Sequence, residues 1–207
     1  MLTELTIKDF ISKVISNDPV PGGGSVSALN GALAAALSAM VANLTVGRKK
    51  YAEVNDLMQE LSTRFEKLSQ KLIEDVDRDS DAYNRVFAAF KLPKETDEEK
   101  QLRSEAIQKE TKYAAQVPME VARAVYEVLP QIDAIAQKGN SNAVTDACVS
   151  MMCARTAILG ALLNARINLT SSKDEAFVNA MREEADTIEA HTILQEQALL
   201  DYARTIL

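Results

Sequence analysis

Apolar residues recur in steps of three and four along most of this chain, the spacing of helices with one buried face. Residues 3–17 carry Leu5, Ile7, Phe10, Ile11, Val14 and Ile15 on one side and Lys8, Asp9, Ser12 and Lys13 on the other, which predicts a short amphipathic helix stopped by Asn17-Asp18-Pro19. Residues 26–46 are Ala-rich and hold no charged side chain. At ~1.5 Å per residue this stretch is long enough to span a bilayer. Ser27, Asn30, Ser38, Asn43 and Thr45 interrupt it, and its small residues predict a central helix surrounded by its neighbours.

A third stripe runs through Val54, Leu57, Leu61, Phe65, Leu68, Leu72 and Val76 to Tyr83, Val86, Phe87 and Phe90, predicting one helix over 51–92. Where it needs an apolar residue near position 79 the sequence reads Asp77-Arg78-Asp79-Ser80-Asp81, so a carboxylate faces the packed side. Thr96 and Glu99 form a capping box opening a helix over 97–137, which Pro118 and Pro130 should kink or break. After the turn at Lys138-Gly139-Asn140-Ser141-Asn142, a second Ala-rich helix covers 143–169, and Ser172-Lys173-Asp174-Glu175 caps a last helix to about 205. No strand and no repeat emerge. The pattern predicts one all-α domain over residues 1–207, a bundle of about six helices with two charge-poor ones at its centre.

Composition narrows the class of function. The 207 residues are 47 % hydrophobic but only 5 % aromatic, with no Trp, so the core must be built from Ala, Leu, Val and Ile. A formal charge of −7 argues against a nucleic-acid binder, whose affinity comes from clustered Lys and Arg. Cys148 and Cys153, five positions apart on one helix, point to different faces and suit neither a disulfide nor zinc. His191 is the only histidine and belongs to the polar last helix, so no transition-metal site is expected. Without a basic N-terminal segment, no secretory signal is expected, and a reducing cytoplasm is the default compartment. The apolar surface of residues 26–46 and 143–169 exceeds what one small bundle covers, which predicts a permanent symmetric dimer and no membrane insertion.

Pro21-Gly22-Gly23-Gly24-Ser25 is the one concentrated run of backbone punctuators. It lacks the Lys of a Walker loop and follows no strand, so a nucleotide loop does not fit. Three glycines before a helix bare N–H groups that can hold a carbonyl or an anion, whereas a tight connection needs only one. Arg48-Lys49-Lys50 follows the first Ala-rich helix, where cations complement the helix dipole. Asp79, if buried without a cation, would be a proton donor. Asp146 lies in the first turn of the second Ala-rich helix, where capping is the alternative, and Asn164 and Asn168 share a face of it.

Taken together, Pro19-Val20-Pro21-Gly22-Gly23-Gly24-Ser25-Val26-Ser27-Ala28, Leu44-Thr45-Val46-Gly47-Arg48-Lys49-Lys50-Tyr51, Asp79-Ser80-Asp81-Ala82-Tyr83, Gly139-Asn140-Ser141-Asn142 with Thr145-Asp146, and Asn164-Ala165-Arg166-Ile167-Asn168 resemble the cyclodeaminase/cyclohydrolase family of folate enzymes. The resemblance runs the length of the chain, departing at Thr145, where Ser commonly precedes the family's Asp. It implies a homodimer binding a tetrahydrofolate derivative as substrate in a groove near the subunit interface, with no other cofactor. It implies cyclisation of 5-formimidoyltetrahydrofolate to 5,10-methenyltetrahydrofolate with loss of ammonia, or alternatively hydrolysis of the methenyl compound to 10-formyltetrahydrofolate. Asp79 and Asp146 then become the acid–base pair and Lys50 the orienting cation. Gly22, Gly23, Gly24, Ser25, Tyr83, Asn140, Asn142 and Asn164 become substrate-binding residues. A formiminotransferase would be a separate chain. A competing reading from another class is a non-catalytic helical adaptor that only dimerises.

Overall fold

The computed structural model covers residues 1–207 and contains seven α-helices and no strand. They are α1 (Ile7–Ile15), α2 (Gly23–Asn43), α3 (Asn55–Phe90), α4 (Asp97–Tyr126), α5 (Leu129–Lys138), α6 (Val144–Leu169) and α7 (Glu175–Ile206). Short 3-10 turns at Lys49–Val54 and Ser141–Ala143 lead into α3 and α6. The all-α bundle matches the periodicity. The extra helix arises where the chain breaks before Pro130, which sits in the first turn of α5, where its missing N–H costs nothing.

Pro118, by contrast, stays inside α4. A proline there leaves the carbonyl four residues back without its helical donor. That carbonyl is Ala114, and the Asn168 side chain of α6 donates to it at 2.7 Å. The helix survives because a neighbouring amide replaces the lost bond. The capping box is present, with Thr96 accepting from the Glu99 N–H at 3.2 Å and Glu99 accepting in return from the Thr96 N–H at 3.0 Å.

α2 packs between α3 and α6, and α6 also touches α4, α5 and α7. Small residues let α2 and α6 approach closely: the Ser38 and Ser150 hydroxyls meet at 2.8 Å, and Ser150 Oγ donates to the Ala34 carbonyl at 2.7 Å. The two helices run antiparallel, since Gly23 at the start of α2 adjoins Asn164 near the end of α6, while Thr45 just beyond α2 binds Asn140 before α6. Both are long and apolar enough to cross a bilayer by length and composition, but each lies lengthwise within the bundle.

One expectation changes. The two helices are not surrounded on all sides: α2 buries 12 of its 21 residues and α6 buries 12 of its 26. Leu33 on α2 is 50 % exposed and Leu163 on α6 is 63 % exposed, so the pair turns one apolar face outward. The cause is the edge position of this face, which no helix of the same chain covers.

Candidate functional site

The acidic run on α3 resolves into separate jobs. Asp75 is buried and pairs with Lys71 at 2.7 Å and Arg78 at 3.3 Å. Asp77 accepts from the Leu2 N–H and the Thr3 hydroxyl, tying the N-terminus to α3. Asp81 is exposed. Asp79 alone turns to the first turn of α2, where Ser25 Oγ donates to its Oδ2 at 3.0 Å and also meets Ser80 Oγ at 3.1 Å. No cation pairs with it. Burial pushes the Asp79 carboxyl above its ordinary range, opposed by its hydrogen bonds from Ser25.

The glycines make this arrangement possible. A Cβ on Gly24 would sit 2.1 Å from Asp79 Oδ1, a distance no side chain tolerates, and a Cβ on Gly23 would press on the Asn164 amide at 3.0 Å. The acid therefore lies directly against the N-terminal turn of α2, the end of a helix that favours an anion or a lone pair. A cavity of about 350 Å³ opens beside it, walled by Gly22, Gly23, Gly24, Asp79, Tyr83 and Asn164, with Ile167, Asn168 and Ala114 behind. That volume is of the size small-ligand sites occupy. Tyr83 stacks on Phe87 with ring centroids 6.5 Å apart and planes 15° from parallel, leaving its own face half open to the cavity mouth. Asn164 Nδ2 donates to the Gly160 carbonyl at 2.8 Å, which leaves Oδ1 as an acceptor.

The remaining residues singled out from the sequence gather elsewhere. Lys50 Nζ donates to Ser141 Oγ at 3.3 Å and lies 5.1 Å from the Tyr51 ring centre. Tyr51 Oη accepts from the Ser141 N–H at 2.9 Å and meets the Ser141 hydroxyl at 3.1 Å. Those hydrogen bonds, with Lys50 nearby, lower the Tyr51 phenol to about 8. Asn140 is buried and committed at both ends of its amide: Nδ2 donates to the Leu44 carbonyl at 3.2 Å and Oδ1 accepts from the Asn142 N–H at 3.1 Å. It shapes the loop, and the Asn142 side chain is the free amide of the two. Asp146 follows in the first turn of α6, half-buried and without an ion pair.

These are two clusters, not one. The first lies at the start of α2 and the end of α6, the second at the end of α2 and the start of α6. The 21 residues of α2 separate them, a span of about 30 Å at ~1.5 Å per residue. Folding of one chain thus does not bring Asp79 and Asp146 together, because antiparallel packing puts the start of α2, where Asp79 docks, and the start of α6, which carries Asp146, at opposite poles.

Tyr51 and the Asn168–Ala114 bridge were not among the expected site residues. Tyr51 adjoins Lys50 in sequence, but its partner Ser141 is 90 positions away, and only Pro118 hinted that a carbonyl near Asn168 needed a donor. His191 is exposed, its Nδ1 meeting the Tyr126 hydroxyl at 3.0 Å.

Residues 6–187 match the family described as formiminotransferase-cyclodeaminase. A methenyltetrahydrofolate cyclohydrolase of Methylorubrum extorquens is 38 % identical over 181 residues, covering 87 % of each chain. The formimidoyltransferase-cyclodeaminase of Rattus norvegicus is 34 % identical, and the match takes in 87 % of this chain but only 34 % of that protein. The crystal structure of a formiminotetrahydrofolate cyclodeaminase from Thermotoga maritima superposes with a TM-score of 0.88 at 30 % identity, over 100 % of this chain and 99 % of that one.

Proposed function

The chain belongs to the formiminotransferase-cyclodeaminase family, and from that premise we propose that it is a folate one-carbon enzyme that closes 5-formimidoyltetrahydrofolate to 5,10-methenyltetrahydrofolate and releases ammonia. N10 attacks the formimidoyl carbon, a tetrahedral aminal forms, the N10 proton leaves, and the C–N bond to the protonated amine breaks. No electron is transferred, so the protein has to supply orientation, one acid and one base.

Asp79 is the acid in this reading. A carboxyl raised by burial keeps its proton nearer to neutrality and can hand it to the departing nitrogen, a step worth about 10²- to 10⁴-fold. The observation that carries the reading is this acid, held without a cation against the glycine turn of a cavity of about 350 Å³. Gly22 to Ser25 and Asn164 Oδ1 offer donors and acceptors for the polar edge of a pterin, and Tyr83 a stacking face. Asp146 serves as the base and Lys50 as the orienting cation for a carboxylate, both reaching the Asp79 pocket from the second copy of a homodimer, because one chain holds them about 30 Å away. A reduced folate is the only small molecule the reaction needs. The protein works as a homodimer.

A second reaction has a specific support: the cyclohydrolase relative matches this chain at 38 % identity over nearly its own full length. Water would then attack the methenyl carbon, with the same acid protonating the nitrogen that leaves. Steady-state turnover with each substrate separates the two. Ammonia release from the formimidoyl compound supports cyclodeamination, and hydrolysis of the methenyl compound with no ammonia release from the other reverses the order.

A further inference from the structure

Resting on the folate reading above, we propose that the end of α3 holds the tail of the substrate. The Phe87 ring supports its aminobenzoyl group, and Lys91, with Lys94 three residues on, takes the carboxylates of its glutamyl end.

The first support is position. Asp79, Tyr83 and Phe87 follow one another at four-residue steps on α3, the spacing that keeps side chains on one face of a helix, and Lys91 comes four residues later at the helix end. Asp79 and Tyr83 wall the cavity, and Phe87 continues from Tyr83 outside it. In the formimidoyl substrate the reacting N5 and N10 lie between the pterin and the aminobenzoyl ring. A ligand that reacts at Asp79 with its pterin among the glycines must therefore lead its ring and glutamate out of the cavity. The eight residues from Asp79 to Phe87 rise by about 12 Å, a length that a benzoyl ring and a glutamyl unit cover.

The second support is exposed aromatic surface. Of the five phenylalanines only Phe87 and Phe90 are exposed, at 51 % and 49 %. The core therefore does not explain them. Phe87 and Tyr83 lie nearly parallel, with 15° between their planes, and together make an apolar ledge that leads away from the cavity. An aromatic ring in a ligand gains from offset stacking on such a surface.

The third support is charge. Lys91 Nζ stands 4.1 Å from the centre of the Phe87 ring. Neither it nor Lys94 nor Arg103 forms an ion pair, although the chain has a formal charge of −7. Capping of α3 does not account for Lys91, because Arg103 already donates twice to the Phe90 carbonyl, at 3.3 and 3.1 Å. Neighbouring acids are engaged as well: Glu99 accepts from the Glu95 and Thr96 N–H groups at 2.8 and 3.0 Å, and Asp97 pairs with Lys100 at 2.9 Å. A free ammonium beside an aromatic ring complements a benzoyl group that ends in carboxylates. The glutamyl end carries two of them, so Lys91 and Lys50 are not rivals for one group.

Isothermal titration with 5-formyltetrahydrofolate, whose formyl oxygen stands in for the formimidoyl nitrogen, and with 5-formyltetrahydropteroate, which lacks the glutamate, tests the assignment. Wild type should prefer the glutamyl compound by about fivefold. Lys91→Met should abolish that preference with affinity for the pteroate unchanged, and Lys91→Glu should reverse it. Phe87→Ala should weaken both compounds by about two- to tenfold. In turnover these substitutions should raise KM and spare kcat, because the side chains touch the tail and not the reacting atoms. A Lys91→Met protein that keeps the wild-type preference, a Phe87→Ala protein of wild-type affinity, or loss of kcat at constant KM overturns the proposal. Wild type that binds both compounds equally removes the tail subsite alone, whereas wild type that binds neither removes the folate reading and the subsite with it.

Discussion

The two poles of the α2–α6 pair are built from opposite materials. At the pole where α2 begins, glycines draw a helix N-terminus against Asp79, and this half-buried side chain lines a cavity with no cation. At the pole where α2 ends, Arg48, Lys49 and Lys50 stay in solvent, and Lys50, Tyr51 and Ser141 form a shallow hydrogen-bonded group. The difference teaches where pKa tuning is available. Burial shifts the acid upward at one end, whereas hydrogen bonds and a neighbouring ammonium shift a phenol downward at the other. A carboxyl raised by burial is present at the first pole, and an exposed group of cations, Arg48, Lys49 and Lys50, at the second.

The largest effect is expected from Asp79→Asn. Turnover should fall by about 10²- to 10⁴-fold, while folding survives. Because the folded-state pKa of Asp79 lies above its unfolded value, its contribution to stability is present at low pH and lost as pH rises through the folded pKa. The Asn variant should therefore be at least as stable as wild type at neutral pH, with its advantage shrinking on acidification. Thermal melts at several pH values check the sign, and a variant destabilised only at neutral pH contradicts it.

Gly24→Ala should come next. Its Cβ would lie 2.1 Å from Asp79 Oδ1, so the carboxylate must move. Overpacking of this kind costs about 1–3 kcal/mol, and catalysis should fall with it. Denaturant melts and kcat measured together show whether both effects appear.

Tyr51→Phe should leave the acid pole untouched. Among the five tyrosines one phenolate should appear near pH 8 in an ultraviolet titration, and this step should vanish in the variant. Lys50→Met should move the same step upward, since it removes a nearby positive charge. A titration unchanged by either substitution breaks the contrast between the poles.

The smallest effect is reserved for a site at neither pole. Thr96→Ala removes the α4 cap and should cost about 1 kcal/mol of stability with kcat unaltered.

Much of the first pole was legible in the sequence for a local reason. An acid interrupting an apolar stripe, and three glycines before an Ala-rich helix, are both patterns written within a few residues. The fold class followed from periodicity, and the break near Pro130 from the geometry of proline. Less accessible was what depends on distant pairing. Asn168 looked like a ligand group, but it repairs the hydrogen bond lost at Pro118, and Asn140 holds the turn joining α5 to α6. Sequence named Asp79 and Asp146 as one acid–base pair but could not show that a single chain holds them apart, because residue types carry no record of which pole a helix end occupies. That Lys50 and Asp146 lie about 30 Å from the acid follows only from the antiparallel packing of α2 on α6.

The whole account depends on Asp79 retaining its proton above the range of an ordinary carboxyl. A carbon-13 carboxyl titration by NMR, with the Asp79 signal assigned by its loss in Asp79→Asn, measures this directly. The account predicts a midpoint clearly above the ordinary aspartate range, and a midpoint within or below that range would contradict the acid role on which the reaction rests.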